Sequence, residues 1–353
     1  MPCIIKEKVH TCLYEVSMSN TYKRVTREDV ARLADVSVTV VSYVINNNRF
    51  VNKDKRKRVE DAIAKLNYYP NHIARALKGK RNNNIIFIAD QITNEHFSQI
   101  ISEMEQFAYN NGYFISLCSN RNTQSFVSNI IARQYDGIII SSISFPEVYI
   151  QQLINAQIPV ILLENRDYET ITGAGIINTG LYEGARECVR HLVEKSRKSI
   201  LYLDRISSRG NFSSYSDLRM RGFIDQMIES GLPVSEKNKI TGCSEESQVI
   251  EKIQQLIREG FKIDGIVGRN DNLACIGMKA VIDMGYRVPE DISVIGFDNS
   301  SLSRFISPTL TTMEMQRKEI GKAAIEMLHQ MIESKTTPSP VRFKTKLIVR
   351  QST

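Results

Sequence analysis

TREDVARLADVSVTVVSYVINNN, residues Thr26 to Asn48, reads as two short helices joined by a tight turn. Thr26 is a good N-cap, and Glu28 and Asp29 fall in the first turn, where negative charge suits the helix dipole. Val30, Ala31 and Ala34 give a small apolar face. Ala34-Asp35-Val36-Ser37 breaks the pattern, and Ser37 can cap a second helix in which Val40, Val41 and Val44 recur at helical spacing. Small residues let two such helices cross closely. The pattern is that of a helix-turn-helix, whose second helix enters a DNA groove.

The rest of the chain is consistent with a basic head on a larger body. The 353 residues suffice for two or three domains, and 42% hydrophobic with 24% charged residues is the composition of a globular protein. No apolar run approaches the roughly 18–20 residues that span a membrane. The leader lacks a signal-peptide layout, because Lys6, Glu7, Lys8, His10 and Glu15 interrupt its apolar residues. Translation is expected to begin at Met18; the alternative is a short disordered arm. Six dispersed cysteines without CxxC read as free thiols of a reducing cytoplasm. Five dispersed histidines argue against a local zinc motif, so no metal and no cofactor are expected. The formal charge of +7 is uneven: residues 1–81 carry 17 Lys/Arg against 8 Asp/Glu, and the remainder is slightly acidic. A polyanion partner is therefore expected for the head alone.

Asn52 can cap a third helix over residues 53–66, with Val59, Ala62, Ile63 and Leu66 inward and five cations, Lys53, Lys55, Arg56, Lys57 and Arg58, in its first turns. Cations there oppose the dipole, a cost that makes sense beside phosphates. Pro70 breaks the chain. Residues 71–84 then hold a short fourth helix and a polar run, helical only when something supports it.

From Ile85 the body alternates strand and helix, through apolar strands such as IIFIA, GIIIS and PVILL and a final strand over residues 341–349. Regular alternation means parallel sheets covered on both faces. Roughly ten strands are too many for one comfortable sheet. The expected fold is therefore α/β, an all-α head followed by two doubly wound parallel-sheet subdomains. Ligands of such sheets sit at the carboxyl ends of the strands.

With these motifs in order, the chain resembles bacterial transcription repressors of the lactose-repressor (galactose-repressor) family. The resemblance runs from Val25 to Thr353. It rests on VTREDVARLADVSVTVVSYVIN, LNYYPNHIARALKGKR, RMRGF at Arg219–Phe223, Asn270-Asp271, PEDISVIGFDN at Pro289–Asn299, PTLTTM at Pro308–Met313 and the terminal LIVRQST. It implies a homodimer, a head that reads double-stranded operator DNA, and a periplasmic-binding-protein-like body holding a small effector between its subdomains. The expected division is an extension over 1–24, a DNA-binding domain over 25–70, a hinge helix and linker over 71–84, and an effector-binding and dimerisation domain over 85–353.

Carried over by motif, Val38, Thr39 and Tyr43 face the groove, on the side opposite Val41 and Val44. Ser37, Ser42, Asn46 and Asn71 bond phosphates. Leu77 wedges between base steps in the minor groove and kinks the duplex, with Lys78 along the same groove; the alternative for Leu77 is packing against the body. Three departures stand out. Asp35 replaces the usual turn glycine, and aspartate tolerates positive φ better than most residues. Tyr43 replaces a frequent arginine and cannot grip guanine O6 and N7 bidentately, so a half-site different from the lactose operator is expected. KSRKS at Lys195–Ser199 lacks a usual Gly-His pair and reads as a surface turn.

Loops after strands offer Asn94, Phe97, Glu164, Ser213, Arg219, Asn270, Asp271 and Asp298 to an effector. Arg219, Asn270 and Asp298 match effector-touching positions of the family. The alternative for each is a loop cap or an interdomain salt bridge. Sugar-binding members often stack an aromatic ring from the loop that here reads Gly242-Cys243-Ser244; Phe97 or Phe212 can substitute. A sugar or sugar derivative is the leading effector class, with purine-like effectors open. Two other classes fit less well: an extracytoplasmic sugar-binding protein, opposed by the basic head, and a nucleotide-using enzyme. For the enzyme, Gly173-Ala174-Gly175 is a poor phosphate loop and no nucleophile, base and orienter set stands out.

Overall fold

The structure, a computed structural model, describes residues 25–69, 81–92, 95–168 and 170–353. The leader around Met18, hinge residues Asn71, Leu77 and Lys78, and Asn94 lie outside them. The chain divides into two compact units, residues 1–78 and 79–353.

The head has three helices: α1 (Arg27–Ala34), α2 (Val38–Asn46) and α3 (Lys53–Leu66). Thr26 and Asp29 form a reciprocal capping box on α1, and Ser37 Oγ accepts from the Val40 amide. Asn52 caps α3 through the Asp54 amide. Val30, Ala31, Ala34, Val41, Val44, Val59 and Ala62 bury one shared core. Asp35 ends α1 in the left-handed region at φ 49°, as the missing glycine requires. Asp35→Val is therefore expected to cost about 1–2 kcal/mol, with Asp35→Gly neutral or stabilising. Chemical denaturation of the full chain checks this; equal losses in both variants would show that the turn does not need a left-handed residue.

The body carries strands β1 (Asn84–Ala89), β2 (Phe114–Ser119), β3 (Gly137–Ser141), β4 (Val160–Glu164), β5 (Gly175–Asn178), β6 (Ile200–Leu203), β7 (Lys239–Ile240), β8 (Gly265–Gly268), β9 (Ser293–Phe297), β10 (Thr311–Met315), β11 (Val341–Arg342) and β12 (Thr345–Ile348). They form two six-stranded sheets, ordered β11-β5-β4-β3-β1-β2 and β12-β10-β9-β8-β6-β7. Every pairing is parallel except β10 with β12. Alternation explains the double covering. Ile86, Ile88, Ile138 and Ile140 pack on one face of the first sheet, and Ile85, Phe87, Ala89 and Ile139 on the other. In the second sheet Leu201, Leu203 and Ile266 oppose Ile200, Tyr202 and Val267 in the same way.

Helices α4 (Glu95–Asn110), α5 (Gln124–Ala132), α6 (Glu147–Asn155), α7 (Leu181–Glu194), α8 (Leu218–Glu229), α9 (Glu246–Arg258), α10 (Asp271–Ile282), α11 (Leu302–Phe305) and α12 (Arg317–Ser334) follow strands in turn. One expectation changes. The single strand over 341–349 is two strands: β11 completes the first sheet, and β12 completes the second two residues later. Here the chain crosses between subdomains. β5 begins at Gly175, the last residue of the Gly173-Ala174-Gly175 run, where an added Cβ would lie 2.5 Å from Ile161 Cδ1. KSRKS is a surface turn, as expected, and is tied to two neighbouring segments. Arg197 donates to the carbonyls of Pro289, Glu290 and Asp291, and Asp264 accepts from the amides of Lys198 and Ser199.

Candidate functional site

On α2, Val41 and Val44 turn into the head core, so Ser37, Val38 and Thr39 are exposed while Ser42, Tyr43 and Asn46 are half-buried. Asn46 Nδ2 donates to the Ser42 carbonyl at 2.8 Å. Of the residues expected to face the groove, Val38 and Thr39 are exposed, and Tyr43 packs partly against the head core.

In the body, strand ends converge on a cavity of about 260 Å³ between the two sheets. Asp90 follows β1, Asn165 follows β4, Arg205 follows β6, Arg269 and Asn270 follow β8, and Asp298 follows β9; all line it with Phe97, His96 and Arg219. Arg219 projects from the first turn of α8, which Asp217 caps through the amides of Arg219 and Met220. Its guanidinium donates to Asp298 Oδ1 at 3.0 Å and stacks 4.5 Å over the Phe297 ring. Both partners are buried; burial lowers the Arg219 pKa and Asp298 opposes it. Asp298 itself stands at φ 103°, a strained conformation at a site residue.

The other two arginines are also paired. Arg205 donates to Asp90 at 2.9 Å across the cleft, and Arg269 lies 2.7 Å from Asp217 and 3.8 Å from Asp204. Burial disfavours the Asp90 anion, but Arg205, Ser142 and Ser144 outweigh it and hold the pKa at about 2. A second bridge crosses the cleft: Ser301 donates its amide and its hydroxyl to Glu95, each at 2.8 Å.

His96 is half-buried, its Nδ1 atom enclosed 3.5 Å from Asp298 Oδ1 and without a hydrogen bond. Burial, with Arg219 and Arg317, lowers its pKa to about 4 against the pull of Asp298. The folded chain thus holds His96 neutral while an unfolded chain protonates it below about 6.5. This histidine removes stability as pH falls from about 6.5 to 4, on the order of 3 kcal/mol. Asp271, raised by burial and Asp298 to about 6, acts in the opposite direction. The difference between wild type and His96→Gln isolates the histidine. Denaturation curves at pH 7 and pH 4.5 should show His96→Gln losing less stability than wild type on acidification; equal losses would contradict the neutral state.

The residues expected from sequence divide as follows. Phe97, Arg219, Asn270 and Asp298 meet at the cavity. Asn270 also caps α10 through the Leu273 amide. Glu164 does not line it: it accepts from Asn178 Nδ2 at 2.6 Å, and its neighbour Asn165 faces the cavity. Ser213 donates to Asp204, and Asp271 is buried beneath the site, accepting from Ser300. Phe212 does not line the cavity, and Cys243 is buried. Sequence reasoning missed Asp90, His96 and Arg205; the placement of ADQ and LDR directly after apolar strands was the available signal. Among the described residues no His/Cys/Asp/Glu group is suited to hold a metal, and no helix is long and apolar enough to cross a membrane.

Comparison with known proteins matches residues 26–71 to the bacterial regulatory proteins of the lacI family and residues 189–353 to a periplasmic binding protein-like domain. The chain is 31% identical to the HTH-type transcriptional repressor PurR of Actinobacillus pleuropneumoniae serotype 3 (strain JL03), over 93% of this chain and 98% of that protein. It is 30% identical to the PurR of Pasteurella multocida (strain Pm70), with the same coverage. Its fold matches the lac repressor dimer bound to operator and the anti-inducer ONPF at TM-score 0.78 and 26% identity, over 94% of this chain and 99% of that one. The chain belongs to the lacI family of bacterial regulatory proteins: it is a DNA-binding transcriptional regulator with a helix-turn-helix head and a periplasmic-binding-protein-like effector domain.

Proposed function

We propose that this regulator is a cytoplasmic, homodimeric repressor without enzymatic activity, whose operator affinity is set by an uncharged saccharide of single-ring size held in the cleft. The charge pairing of the cleft carries the reading. Each arginine facing the cavity already has a carboxylate: Arg205 with Asp90, Arg219 with Asp298, and Arg269 with Asp217. An anionic ligand would have to break a buried pair and strand a charge. Hydroxyl groups can instead share the remaining donors and lone pairs, together with the amides of Asn165, Asn270 and Asn272, while Phe97 offers an apolar face. The volume lies below the roughly 300–1,000 Å³ of drug-sized sites, which suits one ring.

In this reading Asn94, Phe97, Arg219, Asn270 and Asp298 contact the effector, with Asp90 and Arg205 added, and Glu164 acts only through Asn178. Ser37, Val38, Thr39, Ser42, Tyr43 and Asn46, with Asn71, Leu77 and Lys78 of residues 71–84, contact DNA. The exposed apolar residues Tyr109, Phe114 and Leu117 of the first subdomain and Ile282, Leu302 and Phe305 of the second are natural dimer contacts. The effector shifts the balance of the cross-cleft bridges, among them Arg205 with Asp90 and Ser301 with Glu95, and so the DNA-competent population.

The test is a thermal-shift screen of the full chain against pentoses and hexoses, their monophosphates, and free purine bases. A neutral monosaccharide should raise Tm, and its monophosphate should bind at least 100-fold more weakly. A phosphate or a purine that binds more tightly than every neutral sugar would overturn the ligand assignment.

A further inference from the structure

Tyr43 stands on the groove face of α2 where relatives often carry arginine, and a phenol cannot make the two-pronged contact to guanine that a guanidinium makes. A guanidinium is nevertheless present. Arg49, in the loop after α2, lies with its guanidinium carbon 5.2 Å from the centroid of the Tyr43 ring. The backbone brings it there. Asn47 ends α2 in the left-handed region at φ 46°, which turns the chain back along the helix. Arg56 donates to Asn47 Oδ1 at 3.1 Å on one side of Arg49, and Val51 is buried in the head core on the other. The loop is therefore pinned at both ends.

Arg49 differs from the paired arginines of the head. Arg32, Arg56 and Arg58 each have a carboxylate within 4 Å, whereas Arg49 has none among the described residues. No described carboxylate of the head competes for its donors. A guanidinium held against an aromatic ring keeps its outer donors free, and holding the fork in place reduces the ordering needed on binding.

We propose that Arg49, carried on the Tyr43 ring, reads a guanine in the major groove of each operator half-site. The arginine displaced from position 43 is replaced from the following loop, and Tyr43 acts as its platform. The inference rests on the DNA-contact assignment made above for α2.

The test is binding-site selection from random duplexes with the full chain, followed by affinity titrations at several salt concentrations. The proteins are wild type, Arg49→Ala, Arg49→Lys, Tyr43→Phe and Tyr43→Ala. Wild type should select a G·C pair at one position of each half-site. Arg49→Ala should lose that preference by tenfold or more, while affinity for duplexes lacking the guanine stays within about twofold, because a base contact relaxes specificity at its own position. Arg49→Lys should lose part of the preference, Tyr43→Phe should keep it, and Tyr43→Ala should lose it. Uniform weakening on all duplexes, with the salt slope reduced by about one, would make Arg49 a phosphate contact and overturn the proposal. No change on Arg49→Ala, or a guanine preference intact in Tyr43→Ala, would also overturn it. If wild type binds no selected duplex, the DNA-contact assignment itself fails, and this inference with it.

Discussion

Arg219→Ala should lower the stability of the body by about 3–5 kcal/mol, the cost of leaving one member of a buried ion pair without its partner. Asp298 would remain buried at φ 103° with its guanidinium gone, and His96 Nδ1 at 3.5 Å is too distant to replace the bond. Effector response should vanish in the same variant, while the effect on the head core, built from α1, α2 and α3, should be nil. The double variant Arg219→Leu/Asp298→Asn separates the two consequences. Removing both charges should recover much of the stability, because no buried charge is then left without its partner, yet effector binding should stay lost. Urea denaturation with and without the hit sugar reads both quantities. A double variant as unstable as the single one would show that the pair is not the source of the loss.

Gly222→Ala should cost about 1–3 kcal/mol by overpacking and should weaken effector binding although it touches no ligand. Gly222 sits on α8 one turn after Arg219, where α8 packs against α7. An added Cβ would lie 2.3 Å from the Tyr182 carbonyl oxygen and 3.1 Å from Ala185 Cβ. The first neighbour is backbone and cannot swing aside, so α8 must move, and Arg219 moves with it. Isothermal titration with the hit sugar should show reduced affinity in a variant that still folds. Full affinity with unchanged stability would mean that the two helices tolerate the shift without moving the site.

Legibility followed the range of the interactions. The head was readable because its caps and apolar spacing are local: Thr26, Ser37 and Asn52 cap the helices, and Asp35 takes the positive φ that its position demands. The alternation of the body was readable for the same reason. Short elements were not. β5 opens on a glycine, and the tail splits between two sheets because the tertiary register, rather than local apolar content, decides where Thr345 pairs. In the cleft, Arg219, Asn270 and Asp298 were accessible through motif, but their pairing was not. Asp90 and Arg205 lie 115 positions apart in the chain, and only the folded structure shows that each neutralises the other. Glu164 illustrates the one-residue sensitivity of a strand end: Glu164 turns to Asn178, and Asn165 turns to the cavity.

The central claim is that a cleft ligand controls DNA binding by the head. The most direct measurement is operator affinity of the full chain by fluorescence anisotropy, on a duplex obtained by selection, with and without a saturating monosaccharide identified by thermal shift. A change in Kd of at least tenfold, in either direction, is expected, and it should be absent in Arg219→Leu/Asp298→Asn. An unchanged Kd with the sugar demonstrably bound would contradict the claim.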